Sequence, residues 1–317
     1  MLKRVAAALL LAILSAVSVN AQDFAGIDIP YERHVLDNGL TVLIHVDRTA
    51  PQAFVNVYYK VGSRDEKPGK TGFAHLFEHL MFNGSENYDG EYFAPIQDVG
   101  GSLNGDTWLD RTRYFQTVPN TALERVLWLE SDRMGHLLGA VTQEKLDQQR
   151  GVVQNEKRRR DNRPYAQLSP RMMAGLFPEG HPYSWSTIGS MDDLDAASLD
   201  DVHEWFKEWY GPANAIVTVA GDVDPAAALE MVRLHFGDIP AGAPVRHRDD
   251  WRPVRTVNTS EMMQDRVANP LISRGWVVPG NDHEDATLVS LATSILGGDP
   301  SSRLYKRLVK EEQLAVS

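Results

Sequence analysis

The apolar positions of this chain change period several times, and each change marks an element. Residues 33–36 and 40–46 are short alternating runs separated by Asp37-Asn38-Gly39, a pattern that predicts a β-hairpin with an Asn-Gly turn. Residues 54–60, 112–118 and 215–220 are rich in β-branched and aromatic side chains and predict three further strands. The period becomes helical at 71–82, 92–98, 121–134 and 142–160. Residues 161–197 are rich in Pro, Gly, Ser and Tyr and predict a long loop, the kind that carries function. Ser198 and Asp201 form a capping-box-like start to a helix bearing Trp205, Phe206 and Trp209. Asp224 followed by Pro225 opens another helix, which runs to Phe236. Beyond it, residues 237–253 lose the apolar period. A strand at 271–278, a helix at 284–296 and a last helix rich in Lys and Glu follow.

This order divides the chain into a unit at 22–240, a linker at 241–254 and a second unit at 255–317, in keeping with 317 residues at about 150 per domain. The second unit supplies too few elements to close a core, so the sequence is expected to be part of a longer chain. Its apolar positions Trp276, Leu288, Leu291 and Leu308 should then be exposed.

Residues 1–21 have the layout of a secretory signal. Lys3 and Arg4 precede an apolar run from Val5 to Val17, and Val19-Asn20-Ala21 is a small-residue cleavage site. The run is shorter than the roughly 20 apolar residues that span a bilayer, so no stable span is expected after cleavage. There is no cysteine, hence no disulfide framework. A cleaved signal without disulfides predicts a periplasmic or secreted protein. The formal net charge of −11 argues against nucleic acid as a partner.

The candidate chemistry sits in the helix at 71–82. His75 and His79 are four apart and share one face, and Glu78 lies on the adjoining flank. Two imidazoles so placed can hold one divalent cation, with Glu78 in reach of a proton on attacking water. The plainer alternative is a helix that happens to carry two histidines and an acid. The apolar frame of Phe73, Leu76, Phe77, Leu80, Met81 and Phe82 makes this a buried helix, where polar groups need partners. A catalytic zinc site takes three protein ligands, and without cysteine the third must be His, Asp or Glu. Glu156 extends the stripe of Leu146 and Val153 and should point into the core; its alternative role is to pair with the basic run 157–160. Glu130 is the rival ligand. Gly101, Ser102, Leu103 and Asn104 lie in a glycine-rich stretch that lacks phosphate-loop spacing and reads as an edge strand able to accept a peptide. The plainer alternative there is a simple turn.

Together these segments resemble the pitrilysin, insulin-degrading enzyme and mitochondrial processing peptidase family, over residues 30–317. The His-x-x-Glu-His order within residues 72–84 is similar to its inverzincin metal helix. Glu156, 77 residues past His79, stands where the family has its third ligand. Residues 100–104 are similar to its substrate strand, 181–183 and 187–189 to the loop that follows the third-ligand helix, and 297–304 to a signature early in the second domain.

The resemblance implies an α+β fold, with an antiparallel-rich sheet flanked by helices. That fold forms one half of a metallopeptidase clamshell, followed by an incomplete second domain of the same type. It implies a zinc endopeptidase with one Zn2+ per chain on His75, His79 and Glu156, Glu78 as general base and a peptide substrate. The expected partner is a second peptidase-like half or a second copy of the chain. Two departures stand out. Gln149 occupies a position where many relatives have a supporting glutamate, and the sequence ends before an Arg/Tyr pair that holds the substrate carbonyl in relatives. Poor cleavage by the 317-residue chain alone is therefore expected. Two other readings remain: a non-catalytic peptide-binding or assembly subunit, and a chaperone-like protein stabilised by zinc.

Overall fold

A computed structural model describes residues 28–247, 253–254 and 256–317. The signal-peptide expectation falls outside these residues, as does part of the linker. The chain begins with strands β1 (Glu32–Val35), β2 (Thr41–Val46) and β3 (Gln52–Tyr59), then helices α1 (Phe73–Leu80) and α2 (Phe93–Gln97). Strands β4 (Ser102–Thr107) and β5 (Thr112–Pro119) precede helices α3 (Leu123–Gly135), α4 (Gln143–Asp161), α5 (Leu168–Leu176), α6 (Met191–Ala196) and α7 (Leu199–Trp209). Strand β6 (Ala215–Gly221) and helix α8 (Pro225–Phe236) complete the first unit; α9 (Ala286–Gly297) and a π-helical segment at Tyr305–Glu311 follow.

The architecture is α+β. Six strands form one sheet in the order β1-β2-β6-β3-β5-β4, antiparallel throughout except where β2 runs parallel to β6. Alternation decides which face is covered. Val55, Val57 and Tyr59 of β3 are buried, as are Val42 and Ile44 of β2, Tyr114 and Val118 of β5, and Val217 and Val219 of β6. The other face, with Phe54, Asn56 and Tyr58, stays half-buried. The first hairpin turns at Gly39, whose φ of 86° suits glycine. Its neighbour Asn38 donates from Nδ2 to the carbonyls of Phe236 (2.7 Å) and Ile239 (3.0 Å), tying the turn to the end of α8.

Two sequence expectations give way. The predicted loop at 161–197 contains α5 and α6. Pro170 sits in the first turn of α5, where its missing N–H costs nothing, and Ser190 caps α6 by accepting from Asp193 N at 3.1 Å. The strand expected at 271–278 does not form: Ile272, Trp276 and Val278 are exposed and pair with no strand among the described residues. The same region keeps Leu288 and Leu291 of α9 exposed, while Leu308 is half-buried. Its contacts with the first unit include the turn before α5, where Tyr165 donates from its hydroxyl to Asn269 O at 2.7 Å and from its N–H to Asp265 at 2.9 Å.

Candidate metal centre

Helix α1 starts at a glycine for a steric reason. Gly72 has φ 85°, and a Cβ there would lie 2.5 Å from Ile188 O. The amides that begin the helix are satisfied by the buried carboxylate of Glu66, which accepts from Gly72 N (3.1 Å) and Ala74 N (2.9 Å) and also from Trp185 Nε1 (3.0 Å). Burial pushes the Glu66 carboxyl well above its ordinary value, against these three donors. One face of α1 buries Phe73, Leu76, Phe77 and Leu80. Phe77 packs against Tyr210 with ring centroids 4.4 Å apart, and Phe73 meets Trp205 edge-on at 5.5 Å.

The other flank presents His75 and His79, their rings perpendicular and 4.8 Å apart. Helix α4, capped by Thr142 at Lys145 N (3.2 Å), brings Glu156 to them. Glu156 Oε2 lies 3.6 Å from His75 Nε2 and 3.7 Å from His79 Nε2, and ligand atoms of the three residues fall within 4.8 Å of one another. Glu156 does not point into the core as its stripe predicts. Its side chain is 53% exposed, because the burial on α4 ends with Leu146 and Val153 and the carboxylate stands at the rim of the site. The rival Glu130 is fully buried but already paired, accepting from Arg133 at 2.5 and 2.9 Å and from Gln116.

Burial, then the neighbouring His79 and Arg160, holds His75 down to about 3. Burial also lowers His79, with Glu156 and Gln149 opposing. Both imidazoles are therefore neutral at physiological pH. Two neutral nitrogens and a carboxylate converge with no proton donor between them, a donor set that suits a divalent cation. His79 Nδ1 donates to Gln149 Oε1 at 3.3 Å, which leaves its Nε2 lone pair facing Glu156. Gln149 Nε2 donates in turn to Asn83 Oδ1 (3.1 Å), and Asn83 Nδ2 donates to His79 O (2.7 Å). The neutral amide thus orients the His79 ring without adding charge.

Glu78 is buried beside the cluster. Burial raises its carboxyl to about 7, although Thr107 Oγ1 donates to its Oε2 at 2.5 Å and opposes the rise. Thr107 ends β4, the sheet's edge strand, so the buried acid and the edge meet at one point. Ser102 and Asn104 are exposed on that strand, Leu103 is half-buried, and Gly101 just precedes it. Gly101 is needed for space, since a Cβ there would come within 2.6 Å of Val118 and 2.9 Å of Ile96. The contacts of Thr107 and Glu66 have no signal in the sequence, because the partners are brought together only by the turn of α1 over the sheet.

A helix-covered sheet bearing a His-x-x-Glu-His helix and a distant carboxylate defines an inverzincin-type metallopeptidase fold. The insulinase (peptidase family M16) profile matches residues 41–182, and the peptidase M16 inactive-domain profile matches 196–317. Zinc protease PqqE of Helicobacter pylori is 33% identical over 296 residues, covering 90% of this chain and 65% of that protein. An uncharacterized zinc protease of Mycobacterium leprae is 31% identical over 293 residues, covering 90% of this chain and 64% of that one. The crystal structure of a protease from Helicobacter pylori superposes with a TM-score of 0.74 at 30% identity, covering 92% of this chain and 70% of that one. The chain belongs to peptidase family M16. It spans just under two thirds of the length of the two zinc proteases it matches.

Proposed function

We propose that the protein is a zinc-dependent endopeptidase acting on peptides or unfolded segments. The observation that carries this reading is the convergence of His75, His79 and Glu156 beside a buried Glu78 at the end of an edge strand. One zinc ion held by the three ligands would supply Lewis acidity, polarising a carbonyl and making water a better nucleophile. Glu78 takes the proton of the attacking water on its carboxylate and returns it to the leaving amine. Thr107 Oγ1 donates to Glu78 Oε2 and so holds the carboxylate in place at the end of β4. The edge of β4 holds the substrate extended, with backbone groups of Gly101, Ser102, Leu103 and Asn104 as the ladder. The position of Glu78 beside the histidine pair, with its buried carboxyl raised to about 7, suits a general base and favours the catalytic reading.

Export rests on residues 1–21, with Gln22 as the first mature residue, and no helix among the described residues is long and apolar enough to cross a membrane. The partner is a second peptidase-like half or a second copy, which would form the opposite wall around the substrate.

The test is zinc content together with cleavage of an unstructured peptide library read by mass spectrometry. In an active full-length context, Glu78→Gln should keep its zinc and lose turnover by about a hundredfold or more. His79→Ala and Glu156→Ala should lose both. Loss of zinc from Glu78→Gln would make Glu78 a ligand and overturn the assignment.

A further inference from the structure

Nothing in the packing of α4 alone explains how Glu156 is held near the two histidines. Only Leu146 and Val153 of its 19 residues are buried. Gln149 joins α4 to the C-terminal end of α1 through His79 and Asn83. Two helices joined at one end can still pivot, and the separation that matters is at the other end, where Glu156 meets His75. Zinc ligation tolerates errors of only about 0.2 Å in distance.

At that end the short helix α6 stands between the two. On the α1 side, Asp193 Oδ2 accepts from Thr71 N (2.8 Å) and Thr71 Oγ1 (2.5 Å), and Thr71 Oγ1 accepts from Ser190 N (3.1 Å). Thr71 is four residues before His75 and immediately precedes Gly72, the N-cap residue of α1. The fit is close: Gly189 has φ 69°, and a Cβ there would lie 2.2 Å from Thr71 O. On the α4 side, Arg150 donates from Nε to Leu194 O (2.9 Å), in the last turn of α6, and from Nη2 to Ala197 O (2.6 Å), at its C-cap. One turn further on, Gln154 Nε2 donates to Asp195 Oδ1 (2.5 Å). Arg150 and Gln154 are four apart and share a flank of α4, next to the flank that carries Gln149 and Glu156. Leu194, between the two grips, is buried.

We propose that α6 is a strut that sets the separation of the two ligand helices, and that Asp193 and Arg150 are positioning residues for the zinc site, gripping the strut at opposite ends. Neither touches the metal ligands. The main links lie in series, from α1 through Thr71–Asp193, along α6, and through Arg150 to α4, so breaking either one loosens the strut, with only Ser190 N to Thr71 Oγ1 and Gln154 to Asp195 left to hold it. The inference rests on the metal site proposed above.

The test uses the 317-residue chain and zinc affinity measured by competition with a chromophoric chelator, alongside the visible spectrum of the Co2+ form and metal-free melting. Arg150→Met and Asp193→Ala should each weaken zinc about 10–100-fold, as groups that orient ligands do, and should alter the Co2+ spectrum. The double variant should bind no more than about twofold worse than the weaker single, because the second break acts on a link already lost. Asp193→Asn, which keeps an acceptor for Thr71 N, should restore most of the affinity lost in Asp193→Ala. If Arg150→Met does not fold, the Asp193→Ala and Asp193→Asn pair carries the test. Wild-type affinity and an unchanged Co2+ spectrum in the single variants would overturn the strut, as would a double loss equal to the product of the singles. Absence of zinc from the unaltered chain would instead overturn the metal site itself.

Discussion

Helices α1 and α4 bring His75, His79 and Glu156 together, yet they are held there by different forces. Helix α1 turns Phe73, Leu76, Phe77 and Leu80 into the core and is clasped by Trp205 and Tyr210. Helix α4 is more than twice as long, buries two side chains and ends in Arg158, Arg159 and Arg160. Its place is set by directional contacts: Gln149 to α1, and Arg150 and Gln154 to α6. Apolar burial is strong and non-directional, so it locates a helix against a sheet. Hydrogen bonds are individually weaker but fix rotation and separation. The histidine pair is therefore carried by a core helix, whereas Glu156 is held on an outer helix by polar contacts.

The comparison breaks most visibly at Phe77. Its removal from a fully buried aromatic contact by Phe77→Ala should cost about 3–5 kcal/mol of stability and lower the melting temperature of the metal-free protein, with α1 and its histidines lost to the same transition.

Glu78 tests the core helix in a second way. Its carboxyl is raised in the folded state, so its favourable contribution is complete below the unfolded value of 4.5 and is lost as pH rises through about 7. Metal-free Glu78→Gln should therefore match the unaltered protein near pH 4.5 and be more stable at pH 8, by at most about 3 kcal/mol. Chemical denaturation at the two pH values measures this. Equal stability at pH 8 would show that Thr107 and solvent already accommodate the charge.

The smallest effect belongs to α4. Gln149→Ala removes only the amide that orients His79, so zinc affinity should fall about tenfold while the melting temperature of the metal-free chain stays nearly unchanged. A large loss of stability from this change would mean that α4 is part of the core after all.

Much of the site was legible in the order of residues. The i, i+4 spacing of His75 and His79, the apolar frame around them and the glutamate between are all local, because one helical turn is enough to express them. The same holds for the Asn-Gly hairpin, the caps at Ser198 and Asp224, and the edge strand at 102–107. Glu156 was harder to read. Residue spacing alone left it open against Glu130, and its family position, 77 residues on, named it. Its burial was misjudged, since a stripe of two apolar residues is too short to say where an exposed helix stops facing the core. Glu130 stood as the weaker rival, and the structure shows it already occupied by Arg133, three residues later on the same helix, and by Gln116 from β5.

What the sequence determined by itself was the chemistry available: two imidazoles, a glutamate beside them, a distant carboxylate and a strand edge. Tertiary structure decided the geometry. It converted the loop expected at 161–197 into α6, set Asp193 against Thr71 and Arg150 against the end of α6, and brought Thr107 to Glu78. The physical reason is range. Helical period and capping act over three or four residues and can be read directly. A hydrogen bond between residues 44 or 122 positions apart exists only after the core has closed and placed its donor and acceptor within reach of each other.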